Sequence, residues 1–576
     1  MADEYRREYE RWLSSDALSE DERVELEAVR GDDEAVRDRF SAPLVFGTAG
    51  LRGVMGAGIN RMNAHVVRQT TRALAALVLR GGDAAAERGV AVCYDCRVNS
   101  RLFAEEAARV LADAGVRVRL FGDMRPTPEL SFAIREYGCE AGINITASHN
   151  PKEYNGYKVY WGDGAQMPPS HAAVVAKEKD SLDVLGCAPR VSFGEAKAKG
   201  LIMELGEETD EAYLAKVLAC AVSPQARQAA ASLRLVYTPF HGTGRLLVPE
   251  ALRRMGFGSV SCVEEQMTPD GLFPTVASPN PENKEGFALA VEKARAEGAN
   301  LIIGTDPDAD RMGLMLRNNE GEYVTLSGNQ VGVLLLDYLI RAKRQNGTMP
   351  RNPACVKTIV TTEMARAVAE KNGVACFDTF TGFKFMAELI KEFEAEDSHS
   401  YIFAFEESYG YLCGDHARDK DAVVASVLAA EMAAWYSMRG MTLYEAMEAL
   451  YAEYGYYAEN TVNLVMPGLS GMEKMARTMA RLRGDAPGDI AGTPVLAARD
   501  YLAGLRVPRN GGREALSPRG SDVLAYELAD GTVFIVRPSG TEPKIKVYVL
   551  TKGGSRAEAG EKARMYSDYA KTLAND

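Results

Sequence analysis

The chain has no long hydrophobic run and no excess of positive charge. No stretch of its 576 residues approaches the roughly 18 apolar residues that a membrane-spanning helix needs. Its 67 Lys and Arg residues are outnumbered by 80 Asp and Glu, and the net charge of −13 disfavours general binding to nucleic acid or to an anionic membrane. The opening MADEYRREYERW is charged where a signal peptide would carry its apolar segment. We therefore expect a cytoplasmic protein with no membrane or nucleic-acid partner.

The chain also lacks the cysteine pattern of a disulfide framework or a zinc site. Its nine cysteines are an odd number and are scattered through a long sequence. Cys93 and Cys96 form a CxxC pair, which can be redox-active or form half of a zinc site, but no second Cys or His pair with ligand spacing accompanies them. We interpret the cysteines as small buried side chains.

What is present is the composition of a large globular protein. Hydrophobic residues make up 46% and charged residues 26% of the chain, so each domain can bury a core. At about 150 residues for each domain, the length predicts about four domains.

Strands and helices alternate in three similar units. Each unit has an apolar strand, a polar turn, an amphipathic helix that stops at Gly115, Gly256 or Gly373, and a second strand. Such alternation is typical of parallel or mixed sheets. The C-terminal part has instead one helix, a Gly/Pro-rich stretch near 484–520 and three strands. We predict an α/β protein of three similar α/β domains with mixed sheets, plus a smaller α+β C-terminal domain.

The domain boundaries follow from these patterns. The first residues are charged with periodic apolar positions, which predicts an amphipathic helical prefix packed on the first domain. The predicted division is a prefix at 1–40, α/β domains at 41–204, 205–320 and 321–455, and an α+β domain at 456–576.

The first candidate site lies where an apolar strand ends, in the loop TASHNP at 146–151. Loops beyond the carboxyl ends of strands carry the ligand-binding groups of α/β domains. Here Ser148 stands beside His149, so the serine is a candidate nucleophile. The alternative is an Asn-Pro turn in which both side chains bond only to the backbone.

The second candidate site is the loop TDPDADR, which follows the apolar strand LIIG. Alternate spacing points Asp306, Asp308 and Asp310 to one side, where three carboxylates would repel one another unless a cation lay between them. Oxygen ligands favour Mg²⁺ or Ca²⁺. An EF-hand is excluded because Arg311 stands at the required glycine and Arg317 at the required glutamate. A solvated acidic loop is the remaining alternative.

A third loop, FEES at 405–408, combines carboxylate and hydroxyl groups. Glu406 and Ser408 suit a polyol, because each sugar hydroxyl both donates and accepts hydrogen bonds. The alternative is a solvated segment at the start of a helix.

A fourth loop, RPSGTEPK at 537–544, is a candidate phosphate site. Arg537 can bind phosphate oxygens bidentately, and the hydroxyls and the glycine backbone can complete the contact. A Pro-Gly hairpin turn is the alternative. The turn FGTAGLRG at 46–53 adds Arg52 as a further cation. A nucleophile, a metal triad, a polyol site and a phosphate site together indicate phosphoryl transfer to or from a phosphosugar.

TASHNP, DPDADR, FEES and RPSGTEPK, in this order, resemble the α-D-phosphohexomutase superfamily over about residues 41–551, and most closely its phosphoglucomutase and phosphopentomutase branch. The resemblance implies that the domains surround a central cleft and that Ser148 carries a phosphoryl group. It implies catalytic roles for Ser148, His149, Arg52 and Lys158. It also implies an Mg²⁺ ion held by Asp306, Asp308, Asp310 and an oxygen on Ser148.

The resemblance further implies which residues hold the substrate, a small phosphosugar. These are Thr48, Arg311, Thr381, Gly382, Lys384, Glu406, Ser408, Lys420, Arg537, Ser539, Gly540 and Thr541. The implied reaction interconverts glucose 1-phosphate and glucose 6-phosphate, with glucose 1,6-bisphosphate as activator and intermediate. The protein is expected to be a monomer or a homodimer.

The sugar itself has alternatives. TASHNP in place of TGSHNP favours glucose over mannose, whereas TGFK at 381–384 resembles the branch that contains phosphopentomutases. Phosphopentomutase and phosphomannomutase are therefore alternatives with the same mechanism. A phosphatase would not need a second phosphate clamp, and a non-catalytic sugar-phosphate sensor could lose the serine or the aspartates, which are all present here.

Overall fold

The computed structural model describes most of the chain, in residues 4–47, 50–466, 471–539 and 544–573. The chain forms two compact units. The first combines Met1–Ser327 with Ser408–Arg439, and the second combines Gly328–Glu407 with Gly440–Asp576.

Three short helices open the first unit: α1 Glu4–Leu13, α2 Glu20–Ala28 and α3 Asp33–Phe40. Ser19 and Glu22 form a capping box that begins α2, so the backbone N–H groups of these two residues both have partners. The rings of Trp12 and Phe40 pack edge to face at 5.7 Å. Both rings belong to the same hydrophobic core as the first sheet, so the three helices are part of that domain's packing.

The first sheet has six strands: β1 Leu51–Val54, β2 Val90–Tyr94, β3 Val118–Phe121, β4 Ala141–Ile145, β5 Tyr154–Trp161 and β6 Ile202–Leu205. Its order is β1-β5-β4-β2-β3-β6, and only β1 and β5 run antiparallel to their neighbours. The accompanying helices are α4 Ala64–Leu79, α5 Gly82–Arg88, α6 Ser100–Asp113, α7 Thr127–Glu136, α8 Pro169–Ser181 and α9 Phe193–Ala198, with a 3₁₀ turn at Val184–Gly186. Alternate residues of β2 enter two cores, Val92 beside α6 and Cys93 beside α7, so helices cover both faces.

The second sheet has five strands: β7 Arg234–Thr238, β8 Ser259–Cys262, β9 Leu301–Thr305, β10 Met312–Arg317 and β11 Tyr323–Thr325. The order is β11-β10-β9-β7-β8, with β9, β7 and β8 parallel. The helices are α10 Glu207–Ala219, α11 Pro224–Ala230, α12 Gly244–Arg254, α13 Glu264–Met267 and α14 Ala288–Glu297, with a 3₁₀ turn at Lys284–Phe287. Every residue of β9 is buried, which matches its uninterrupted apolar sequence.

The second unit contributes three parallel strands to the third sheet. They are β12 Pro353–Thr358, β13 Ala375–Thr379 and β14 Ser400–Glu406, and β12 pairs with both of the others. Its helices are α15 Gly328–Gln345, α16 Met364–Lys371 and α17 Phe383–Glu396.

After β14 the chain returns to the first unit, with the short strand β15 Gly410–Leu412 and helix α18 Ala422–Ser437. Residues Ala422–Tyr436 of α18 are buried on every side of the helix. The helix packs against α11 and α12, because a helix that is apolar all round must be surrounded by other elements. The predicted third domain at 321–455 includes this segment, and that domain division stays a prediction.

The fourth sheet is antiparallel and follows α19 Leu443–Tyr454. Its strands are β16 Tyr456–Val465, β17 Asp489–Ile490, β18 Thr493–Asp500, β19 Leu505–Pro508, β20 Glu514–Ala515, β21 Leu524–Leu528, β22 Val533–Pro538 and β23 Lys544–Gly553. The order is β16-β23-β22-β21-β18-β19-β20, with β17 paired to β18. Helix α20 is Gly471–Gly484, and α21 Arg556–Thr572 packs on β16 and β23.

These sheets confirm the predicted fold class, three α/β sheets followed by an α+β domain. The sequence prediction missed β16 and the strands within 484–520. In the part of the chain that the structure describes, no helix is both long enough and apolar enough to cross a bilayer.

Candidate active site

Ser148 lies in the loop that follows β4, and its backbone conformation is unusual. Its φ angle is +52°, in the left-handed region that few residues other than glycine adopt. The N–H of Ser148 donates to Oγ1 of Thr146 at 2.8 Å. The side chain is buried, its Oγ donates to Oδ2 of Asp306 at 2.8 Å, and Nδ1 of His149 lies 3.2 Å from the same Oγ. The structure thus joins the predicted nucleophile to the predicted metal loop.

The three aspartates of the second loop come together directly after β9. Ligand oxygens of Asp306, Asp308 and Asp310 all lie within 4.8 Å of one another, and all three residues are buried. Backbone N–H groups of Asp310 and Arg311 donate to Oδ1 of Asp306 at 3.1 and 3.0 Å, which fixes the turn. The three carboxylates therefore lie together, on the same side of the loop as their alternate spacing predicts.

The two carboxylate oxygens of Asp308 differ in their hydrogen bonds. Oδ2 accepts from Nζ of Lys158 at 2.6 Å and from Oγ1 of Thr127 at 2.8 Å. Oδ1 of Asp308 and Oδ1 of Asp310, both buried, accept no hydrogen bond within the described residues. Buried carboxylate oxygens without donors are costly. They fit a hard divalent cation such as Mg²⁺, which binds oxygen ligands.

Burial and mutual repulsion set the charges of this cluster. The pKa of Asp306 is raised well above its usual value by burial and by the nearby charges of Asp308 and Asp310. Burial would also raise the pKa of Asp308, but the ammonium group of Lys158 outweighs it and holds this pKa below the usual range. The pKa of His149 is lowered well below 6.5 by burial and by Arg311 and Arg52. His149 is therefore neutral at neutral pH.

Several other predicted residues surround this cluster in the first unit. Arg52, on β1, donates to Oδ1 of Asn150 at 2.9 Å. Arg311 donates to the carbonyl oxygen of Ser408 at 3.1 Å. The ammonium group of Lys420 lies 3.4 Å from Oδ2 of Asp310.

The remaining predicted residues lie in the second unit. Burial and the charges of Glu407 and Glu406 raise the pKa of Tyr548 to about 12, although the nearby guanidinium of Arg537, near the end of β22, acts to lower it. The predicted phosphate and sugar residues Arg537 and Glu406 thus both lie near Tyr548. The N–H of Ser539 donates to the carbonyl of Lys544 at 2.8 Å.

The TGFK segment precedes and begins α17 in the same unit. Gly382 has a φ angle of +119°, which residues other than glycine rarely adopt. Oγ1 of Thr381 is buried and has no hydrogen-bond partner among the described residues. Burial lowers the pKa of Lys384. Thr48, Gly540 and Thr541, also predicted to bind substrate, lie outside the described residues.

Sequence reasoning missed Thr127 and Arg97. Thr127 begins α7 and bonds to the metal loop both through its hydroxyl and through its N–H, which donates to the carbonyl of Asp308 at 2.8 Å. Arg97 bonds to the backbone of the serine loop. The available signal was that both follow strands of the first sheet, Thr127 after β3 and Arg97 after β2.

The chain matches four domain models of one family, described as phosphoglucomutase/phosphomannomutase. The matched residues are 43–183 for alpha/beta/alpha domain I, 211–321 for domain II, 327–454 for domain III and 490–565 for the C-terminal domain.

Curated relatives match over most of their length. A phosphoglucomutase of Staphylococcus haemolyticus is 35% identical over 512 residues, 88% of this chain and 90% of the relative. A phosphoglucomutase of Staphylococcus aureus strain MRSA252 is 35% identical over 520 residues, which cover 90% of this chain and 91% of the relative. The chain therefore belongs to the phosphoglucomutase/phosphomannomutase family of the α-D-phosphohexomutase superfamily. This confirms the predicted family and the predicted enzyme class, a phosphohexomutase and hence an isomerase.

Solved structures share the fold. A phosphoglucomutase/phosphomannomutase family protein from Burkholderia thailandensis has a TM-score of 0.65 at 19% identity, with 92% of this chain and 97% of that chain covered. The pp63/parafusin phosphoglucomutase from Paramecium has a TM-score of 0.63 at 17% identity, with 93% and 97% covered.

Proposed function

We propose that this phosphohexomutase interconverts glucose 1-phosphate and glucose 6-phosphate through a phosphorylated Ser148 and a glucose 1,6-bisphosphate intermediate. The observation that carries the proposal is the contact of Ser148 with Asp306, beside His149 and two further buried aspartates. The glucose assignment is supported by the name of the relatives at 35% identity and by TASHNP. Phosphomannomutase and phosphopentomutase are the alternatives.

The residues around Ser148 supply the groups that a balanced transfer needs. In the first half-reaction the bond from phosphorus to Oγ of Ser148 breaks and a bond from phosphorus to the free sugar hydroxyl forms. The proton of that hydroxyl passes by way of His149, whose Nδ1 lies 3.2 Å from Oγ of Ser148, and it ends on Oγ. In the second half-reaction the bond from the other phosphorus to its sugar oxygen breaks and a bond from that phosphorus to Oγ of Ser148 forms. The proton leaves Oγ and ends on the freed sugar oxygen.

Positive charge near the transferring group stabilises the transition state. Lys158 donates a hydrogen bond to Asp308, and Arg52 donates one to Asn150 in the loop that carries Ser148. These are the two cations to which we assign this stabilisation. Asp306, Asp308, Asp310 and Ser148 would hold Mg²⁺, which when bound neutralises charge on phosphate oxygens. The two oxygens without hydrogen bonds, on Asp308 and Asp310, support this assignment.

A mutase must hold the phosphate that is not reacting, and this is the role we assign to the fourth sheet. Arg537 stands near the end of β22 with Ser539 after it, and Gly540 and Thr541 follow in the sequence. We assign sugar contacts to Glu406, Ser408, Arg311, Lys420, Thr48 and the Thr381–Gly382–Lys384 segment. The four-domain division predicted from the sequence and a monomeric or homodimeric state belong to the same proposal.

A cytoplasmic location is also part of the proposal. All nine cysteines are free thiols, which is typical of proteins in a reducing compartment.

The test compares initial rates with glucose 1-phosphate, mannose 1-phosphate and ribose 1-phosphate, each with its catalytic bisphosphate and Mg²⁺. We expect kcat/KM for glucose 1-phosphate to exceed the others by at least about tenfold. Mannose or ribose as the fastest substrate would move the assignment to the corresponding alternative. Release of inorganic phosphate in place of isomerisation would contradict a mutase and favour a phosphatase.

A further inference from the structure

Arg97 is a completely buried arginine that bonds to the loop carrying Ser148. It follows β2, and none of its side-chain surface is exposed. Its Nη1 donates to the carbonyl oxygens of Pro151 at 2.8 Å and Tyr154 at 2.9 Å. Its Nη2 donates to the carbonyl of Ser148 at 2.6 Å and to that of Asn150. One guanidinium group therefore binds four carbonyl oxygens between residues 148 and 154.

The loop needs such a support because its central residue is strained. Ser148 has a φ angle of +52°, and a residue other than glycine keeps a positive φ only when its surroundings fix it. The hydroxyl of Thr146 binds the N–H of Ser148, and Arg97 binds its carbonyl. The two peptide groups that flank the Ser148 side chain are thus both held.

Arg97 is itself held in place by an anion and an aromatic ring. Its Nε lies 3.3 Å from Oδ2 of Asp95, and its own N–H donates to Oδ1 of Asp95 at 2.9 Å. The hydroxyl of Ser100 donates to the same Oδ1 at 2.7 Å. The guanidinium lies 5.1 Å from the ring centre of Phe273. A guanidinium group fixed on several sides has one orientation, which it can impose on the loop.

We propose that Arg97 is a positioning residue for phosphoryl transfer, which holds the Ser148 loop in its left-handed conformation so that Oγ faces the aspartate cluster. This rests on the proposed function, in which Ser148 carries the phosphoryl group. Lysine cannot replace Arg97, because one ammonium nitrogen cannot reach four carbonyl oxygens spread over seven residues.

The test compares Arg97→Lys with Arg101→Lys, a matched control at an exposed arginine four residues further along, at the start of α6. Three quantities are measured: the melting temperature, the rate at which Ser148 gains phosphate from glucose 1,6-bisphosphate, and amide hydrogen exchange of residues 146–156. We expect Arg97→Lys to fold, to slow phosphorylation and kcat by about 10²-fold with KM changed less than about threefold, and to speed exchange in that segment. The control should match the wild type.

A purely structural role gives a different result. If Arg97→Lys lowers the melting temperature but its folded fraction is phosphorylated at the wild-type rate, the proposal is wrong. If Arg97→Lys does not fold, the same measurements are made on Asp95→Asn, which removes the anion beside Arg97 and keeps the arginine. If Asp95→Asn is phosphorylated more slowly and exchanges faster only in residues 146–156, the proposal is supported. If its phosphorylation rate equals that of the wild type, the proposal is overturned. Failure of wild-type Ser148 to gain phosphate would instead reject the proposed function, and the exchange data would still report whether Arg97 holds the loop.

Discussion

The hydroxyl of Ser148 donates a hydrogen bond of 2.8 Å to Asp306, a residue 158 positions further along the chain. Ser148 follows a strand of the first sheet and Asp306 a strand of the second. The contact places a nucleophilic oxygen at the edge of a cluster of three buried carboxylates. This arrangement suits a serine that exchanges a phosphoryl group beside a divalent cation.

The first prediction concerns the aspartate cluster. Asp308→Asn should lower turnover by at least about 10²-fold, because it removes a proposed Mg²⁺ ligand and a partner of Lys158. Its melting temperature without metal should change little, since the loss of the Lys158 pair is offset by relief of carboxylate repulsion. Added Mg²⁺ should raise the melting temperature of the wild type and of the control Asp16→Asn at an exposed position, but not that of Asp308→Asn. Near-normal activity of Asp308→Asn would reject the metal site.

The second prediction concerns the proposed phosphate clamp. Arg537→Ala should weaken glucose 1-phosphate and glucose 6-phosphate alike, because either phosphate must occupy the clamp during one cycle. A lost charge-assisted bond of about 1.5 to 3 kcal/mol corresponds to a roughly 10- to 100-fold rise in KM for each substrate. Steady-state kinetics in both directions measure this, and early escape of glucose 1,6-bisphosphate should accompany it.

The control for Arg537 is its neighbour Tyr548. Arg537 lies close enough to the Tyr548 hydroxyl to influence its pKa, so Arg537 has a structural alternative, which is to anchor the end of β22. Tyr548→Phe removes that hydroxyl and leaves the guanidinium, so it should keep both KM values near those of the wild type. If Arg537→Ala lowers only thermal stability and leaves the kinetics of the folded fraction normal, the clamp is refuted.

The third prediction uses the pH dependence of stability at Glu22. Burial would raise the pKa of this carboxyl, but hydrogen bonds from His65 and Ser19 outweigh it and lower the pKa from 4.5 to about 2. A lowered carboxyl pKa adds stability above pH 4.5 that is lost as the pH falls toward 2. Glu22→Gln keeps a residue able to form the capping box but removes the charge, so it should cost about 1 to 2 kcal/mol at pH 6.

The difference in unfolding free energy between the wild type and Glu22→Gln should shrink as the pH falls. Urea unfolding followed by tryptophan fluorescence is a suitable measurement, because the Trp12 ring lies 5.3 Å from the His65 ring. The gap between wild type and Glu22→Gln should be widest near pH 6 and much smaller near pH 3. A gap that is constant across this range would mean that the charge of Glu22 does not stabilise the fold.

Much of the site could be predicted because its residues follow apolar strands. Ser148 and Asp306 both lie in loops after fully buried strands, and short motifs identify such loops without knowledge of the packing. Arg97 also follows a fully buried strand, but no motif marks it. It bonds to backbone carbonyl oxygens, which leave no pattern in the sequence around it. Thr127 was missed because its partner Asp308 is 181 residues away.

In the fold, too, features set by neighbouring residues could be predicted, and features set by residues far apart in the chain could not. The three strand–helix–strand units could be predicted from periodicity and from glycines at helix ends. Strand β16 was missed because much of it is only partly buried and its pairing partner, β23, lies about 80 residues later. Helix α18 packs on α11 and α12, and nothing within its own sequence identifies those partners.

The central claim is that Ser148 carries the phosphoryl group, and intact-mass analysis after incubation with glucose 1,6-bisphosphate and Mg²⁺ tests it most directly. We predict one added phosphate on the wild type, none on Ser148→Ala, and transfer of that phosphate to added glucose 1-phosphate or glucose 6-phosphate. A Ser148→Ala protein that still gains one phosphate and remains active would contradict the account.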